Sequence, residues 1–198
     1  MEEKNPEEAV KYFAQIKALE EAYNKEPHNV EIREVLARIE GKDPLTYASL
    51  PPEAIQKKII AHKKRAEELV KEHLSYDWLI KNYSIGEVLS LLLGVGLPEL
   101  KDKDKYKEIV SAQKKIKEAQ SIMGKEIGEK IEYVKKYFGE RKGKTIGEEM
   151  IKESELYAGA SSSIYLDFLL KGINSALQYE LARALEKAGA KKTLKKAA

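Results

Sequence analysis

The chain has 198 residues, 35% of them charged and 42% hydrophobic, and its net charge is only +3. These proportions exclude collagen-like and disordered chains. The absence of cysteine excludes disulfide scaffolds, thiolate nucleophiles and cysteine-ligated zinc or iron–sulfur centres. The charge types are strongly biased, with 31 Lys against 5 Arg and 28 Glu against 5 Asp. Lys and Glu form helices well, whereas Thr, which occurs three times, and Asp do so less readily. The composition therefore predicts an all-α protein. The same Lys/Glu enrichment accompanies high thermal stability in natural proteins, and it is also how designed helices are written.

Asn5 is placed to cap a first helix, with Pro6 in its opening turn. Val10, Phe13, Ile16, Leu19 and Ala22 or Tyr23 follow at helical spacing. Glu26, Pro27 and His28 break this helix. Asn29 caps a second carrying Ile32, Val35, Leu36 and Ile39, which stops at Gly41. No second helical pair follows at a period near 34 residues, so this is a hairpin and not part of a repeat array. Residues 1–43 are read as an N-terminal helical hairpin, and 44–52, with Pro44, Pro51 and Pro52, as a linker. A long helix then carries Ile55, Ile59, His62, Ala66, Leu69, His73, Tyr76 and Ile80 on one stripe.

Ser84-Ile85-Gly86-Glu87 is a capping box. It opens a short apolar helix ending near Gly94 or Gly96. The next loop holds Pro98 and the alternating charges of residues 101–104. A fifth helix carries Tyr106, Ile109, Val110, Ile116, Ala119 and Met123 up to Gly124. A sixth carries Ile127, Ile131, Val134 and Phe138 up to Gly139. Thr145-Ile146-Gly147-Glu148 repeats the capping-box pattern and opens another helix, and residues 159–163 break the chain. The last helix carries Leu166, Leu169, Leu170, Ile173, Leu177, Leu181 and Leu185. Ile164, Tyr165 and Phe168 widen its stripe, which marks it as a central helix. The expected fold is an all-α multi-helix bundle of seven to eight helices at residues 53–188, preceded by the hairpin and followed by a frayed basic tail at 189–198.

Catalytic and metal chemistry find little support. His62 and His73 lie eleven residues apart, about 16 Å along a helix, and neither belongs to a Glu-x-x-His or His-Glu-x-x-His arrangement. They are expected to be hydrogen-bonded core histidines. Glu148, Glu149, Glu153 and Glu155 read as a solvated acidic face beside a helix start. Asp77 and Asp167 read as surface charges or structural hydrogen-bond partners. At Gly159-Ala160-Ser161-Ser162 a serine stands where the Gly-x-Ser-Gly signature of rhomboid proteases has glycine, and no histidine follows. Gly143-Lys144-Thr145 lacks the upstream glycine of a P-loop. A repressor-type helix-turn-helix would need a further helix between 158–161 and 181–185, and there is no room for it. No catalytic residue, metal ligand or cofactor is assigned. The longest apolar stretch, residues 88–97, is too short to span a bilayer, and the expectation is a soluble cytoplasmic protein without a membrane partner.

Charge distribution is the strongest functional signal. Residues 1–50, 51–100, 101–145, 146–182 and 183–198 carry net charges of −4, 0, +6, −4 and +5. Two basic regions thus flank an acidic one, and if they share a face they attract phosphates. Lys107, Lys114, Lys115, Lys117, Lys135, Lys136, Arg141, Lys142, Lys144, Lys191 and Lys192 are the candidate contacts. The scarcity of Arg argues against base-specific reading. The leading expectation is a non-enzymatic helical binding or scaffold module that engages an anionic partner such as nucleic acid. A protein partner or homo-oligomer is a further expectation. One alternative is a designed or redesigned bundle with no native biochemical role. Another is a ligand- or cofactor-binding bundle with a pocket at His62, His73, Asp77 and Trp78.

Overall fold

The computed structural model describes residues 5–139 and 160–192, with side chains of the second stretch from Ile164 onward. It is all-α, and nine α-helices and one π-helical turn lie among the described residues. The helices are α1 (Pro6–Lys25), α2 (Val30–Ile39), α3 (Pro44–Ala48), α4 (Pro52–His73), α5 (Tyr76–Asn82), α6 (Ile85–Leu89), α7 (Lys107–Met123), α8 (Ile127–Gly139) and α9 (Ala160–Lys187), with the π turn at Ser90–Gly94. No described helix is long and apolar enough to cross a membrane. The chain divides into two compact units. One holds α1 to α5 and Ser90–Lys105, and the other holds Tyr83–Leu89 and the chain from Tyr106 onward.

In the first unit, helix starts follow local chemistry. The Asn5 side chain accepts the Glu8 N–H at 3.0 Å, and Asn29 accepts the Glu31 N–H at 2.9 Å. Gly41 ends α2 at φ +64°, and the Lys42 N–H reaches back to the Ala37 carbonyl at 2.8 Å. Glycine enters that left-handed region without the strain a Cβ brings. α1 packs chiefly along α4. Val10, Phe13 and Ile16 on α1, with Ile55, Ile59, Ala66 and Leu69 on α4, are buried. This is the apolar stripe read from the sequence, with burial as its driving force.

Two features of this unit depart from the sequence reading. Residues 44–48, read as part of a linker, form α3. Asp43 caps α3 by accepting the Leu45 N–H at 3.0 Å, and Tyr47 is buried as α3 packs on α2. The long helix is also interrupted. Leu74 is extended (φ −99°, ψ 145°), and the Ser75 hydroxyl caps α5 by accepting the Trp78 N–H at 3.1 Å. The stripe survives the break because Leu74, Tyr76 and Leu79 are all buried. Ser75→Ala removes this cap and is expected to cost about 1 kcal/mol. Thermal unfolding followed by circular dichroism should show a midpoint about 2–4 °C lower.

In the second unit, the capping box at Ser84 forms as expected. The Glu87 carboxylate accepts the Ser84 N–H at 2.8 Å. α9 is the central helix of this unit and packs against α6, α7 and α8. Lys130 on α8 is buried and pairs with Asp167 on α9 at 2.7 Å, so Asp167 is a structural partner.

Ile164 and Phe168 do not join the core stripe but are 72% and 71% exposed, because the buried face of α9 is centred on Leu166, Leu170, Ile173 and Leu177. The start of the tail is pinned and not frayed. Gly189 turns the chain at φ +95°, and the Ala190 N–H bonds the Leu185 carbonyl at 2.9 Å. Ala190 is buried, and the Lys191 carbonyl accepts the Ile85 N–H at 2.9 Å. That last bond satisfies a free donor at the start of α6. The predicted capping box at 145–148, the acidic residues Glu148 to Glu155 and the tail beyond residue 192 lie outside the described residues.

Candidate anion-binding site

The second unit carries a groove of about 530 Å³ along the seam of α7 and α9. Lys107, Glu108, Ser111, Ala112 and Lys115 line it from α7, and Glu180, Arg183, Ala184 and Lys187 from α9. The two helices run antiparallel. Glu108, near the start of α7, pairs with Lys187, at the end of α9, at 3.2 Å. The groove exists because the helices meet there through small side chains. Ala112 and Ala184 are nearly buried, and longer charged side chains stand on either side of them.

Four cations and two carboxylates therefore share the lining. Lys107, Ser111 and Lys115 fall on successive turns of α7 and span about 12 Å. No described carboxylate pairs with Lys107 or Lys115. The Arg183 guanidinium stacks over the Tyr179 ring, 5.9 Å from its centre. Such stacking holds the planar fork in place and leaves its N–H groups available to an oxyanion. Long exposed cations over a shallow apolar floor attract anions through local field and charge-assisted hydrogen bonds.

The sequence-derived basic residues divide between this groove and other places. Lys107 and Lys115 line it, whereas Lys114 and Lys117, on the same helix, do not. Lys135 pairs with Glu132 at 3.8 Å, and Lys136 ties α8 to α7 through Glu118 at 3.1 Å. Lys191 and Lys192 are exposed beyond α9, and Lys192 pairs with Glu186 at 3.1 Å. Arg141, Lys142 and Lys144 lie outside the described residues. Arg183, Lys187 and Ser111 complete the groove without having been singled out. Their signal is an i, i+4 spacing around an alanine on each helix, which becomes legible only once α7 and α9 are known to pair.

None of His62, His73, Asp77 and Trp78 lines the groove. His73 ends α4 with its ring 3.8 Å from the Glu72 carboxylate, and Asp77 pairs with Lys105 at 2.7 Å. Trp78 lies on α5, half-buried. His62 belongs to a polar cluster in the first unit. Its Nδ1 faces the Tyr12 hydroxyl at 2.6 Å, and its Nε2 faces Glu40 at 3.0 Å. With the proton on Nε2, His62 donates to Glu40 and accepts from Tyr12. Glu40 also accepts from the Tyr47 hydroxyl and from Lys58, whose ammonium lies 2.9 Å away.

Burial opposes the charge on Glu40, but hydrogen bonds from Tyr47, Lys58 and His62 outweigh it and hold its carboxyl down at about 2. Burial raises the Tyr12 and Tyr47 hydroxyls above the usual phenol range, with Glu40 adding to the rise at Tyr47. The cluster thus joins α1, the end of α2, α3 and α4 through one carboxylate. A hydroxyl–imidazole–carboxylate order is also that of a nucleophilic triad. Here, however, the carboxylate is shared among three donors, and each partner ties one helix to another, so the arrangement is a clasp. Among the described residues no group of three His, Asp or Glu side chains converges as a metal site. No protein-family model matches the chain, and no curated protein or solved structure matches it significantly.

Proposed function

We propose that this chain is a non-enzymatic helical binding module that holds nucleic acid by its phosphates along the α7–α9 groove. The observation that carries this reading is the convergence of Lys107, Lys115, Arg183 and Lys187 on one groove, with no described carboxylate paired to Lys107 or Lys115. The two basic stretches of the sequence each supply half of that set. Three of the four cations are lysines, which act as point charges and are suited to phosphate contacts without base reading. The partner is therefore bound through its backbone, with affinity that falls steeply as salt rises. Glu108 and Glu180 also line the groove and temper its field. The Glu108–Lys187 pair is exposed, and exposed pairs open at little cost, which frees a fourth cation when a phosphate arrives.

Fluorescence anisotropy with generic DNA and RNA oligonucleotides at about 50 mM salt tests this reading. The unmodified chain should bind both. Lys107→Glu/Lys115→Glu should lose that binding, while Lys57→Glu/Lys64→Glu, with the same change in net charge on exposed residues of the first unit, should retain it. Equal loss in both variants would reduce the effect to net charge and leave the groove no part in binding.

A further inference from the structure

We infer that the outward face of α9 is a self-association surface, on which a second copy of this chain docks antiparallel. Phe168, Ser175, Tyr179 and Glu186 lie 7, 11 and 18 residues along α9 from the first of them. At 3.6 residues per turn they fall close to one line. Ile164 and Lys171 lie beside it. Ile164, Phe168 and Tyr179 are 72%, 71% and 65% exposed. Large side chains gathered on one solvent-facing stripe are characteristic of contact surfaces, and aromatic residues carry much of the binding there.

Charge and size on this stripe point to a second copy as the occupant. Lys171 is exposed and has no described carboxylate partner. Glu186 is exposed on the same face and pairs with Lys192 at 3.1 Å. A two-fold axis crossing α9 at residues 178 and 179 sets Lys171 of each copy against Glu186 of the other. The same axis brings the two Tyr179 rings together and places Ser175 opposite Ala182. Phe168 then meets the turn at Gly189, which has no side chain. The face is thus complementary to itself in sign and in bulk, as an isologous interface must be.

The stripe from residue 164 to 186 is about 33 Å long and about 10 Å wide. That is less than the ~800 Å² per partner of a standard stable interface, so the association is weak and depends on concentration. Its charged pairs are separate from the groove, because neither Lys171 nor Glu186 lines it, whereas Tyr179 at its centre also carries the groove's Arg183.

Sedimentation velocity of the full chain from about 1 µM to about 500 µM reads the effect directly. The mean mass should rise from the monomer toward twice that value. Lys171→Glu and Glu186→Lys should each weaken association about tenfold, because two attractive pairs become two repulsive ones. The combined variant should recover it, since the signs are then exchanged on both copies. A monomer at every concentration would overturn the proposal. So would a combined variant that associates no better than the single ones.

Discussion

Glu40→Gln should lower the stability of the first unit by about 2–3 kcal/mol near neutral pH, and the deficit should vanish in strong acid. The carboxyl titrates at about 2 in the folded chain, against an ordinary value of 4.5. A depressed folded value means that the ionised form is favoured by folding. Its stabilisation is fully present above about 4.5 and is lost as pH falls through about 2. The Glu40 and Lys58 side chains remain 20% and 34% exposed, and the resulting solvent screening keeps the expected loss below the full value of the shift. Urea unfolding of the unmodified chain and of Glu40→Gln at pH 7, 4 and 2 measures the gap. It should be largest at pH 7 and close to zero at pH 2. A gap that is unchanged with pH would mean that Glu40 contributes shape and not charge.

The second large effect lies in the groove. Lys107→Glu/Lys115→Glu/Arg183→Glu should weaken nucleic-acid binding at about 50 mM salt by at least about 100-fold. Each lost phosphate contact removes about 0.7–0.9 from the slope of log affinity against log salt, so the slope should fall by roughly 2–3. Far-ultraviolet circular dichroism should be unchanged, because these side chains stand above the core and not within it. Lys114→Glu/Lys117→Glu, on the same helix but outside the groove lining, should do much less. That contrast separates a positioned set of cations from a generally basic helix.

Much of the fold was legible because its signals are local. Asn5, Asn29 and the Ser84–Glu87 box announce helix starts through side chains that reach only two or three residues. Gly41 ends α2, and Gly124 follows the last residue of α7, where the sequence placed the end. The break at Leu74 was hidden because Tyr76 and Ile80 resume the stripe in phase, so periodicity alone could not register it. The Ser75 cap was the available sign.

The sites were harder to read because they join distant residues. Tyr12, Glu40 and His62 meet across separations of 22 to 50 residues. The pairing of α7 with α9 brings Glu108 to Lys187 across 79 residues. Segment charges mark basic stretches at 101–145 and 183–198. They could not distinguish Lys107 and Lys115 from Lys114 and Lys117, because that choice depends on which face of α7 meets α9. Ile164 and Phe168 illustrate the converse, since apolar spacing suggested burial while the packed face of α9 left them outside.

The proposed hold of the α7–α9 groove on nucleic-acid phosphates is open to a direct test. A salt titration of the full chain with generic DNA and RNA tests it most directly. Binding should be measurable at low salt and similar for unrelated sequences, with log affinity falling linearly against log salt at a slope of about −3 to −4 for roughly four phosphate contacts. No binding to either polymer at low salt, or binding indifferent to salt, would contradict it.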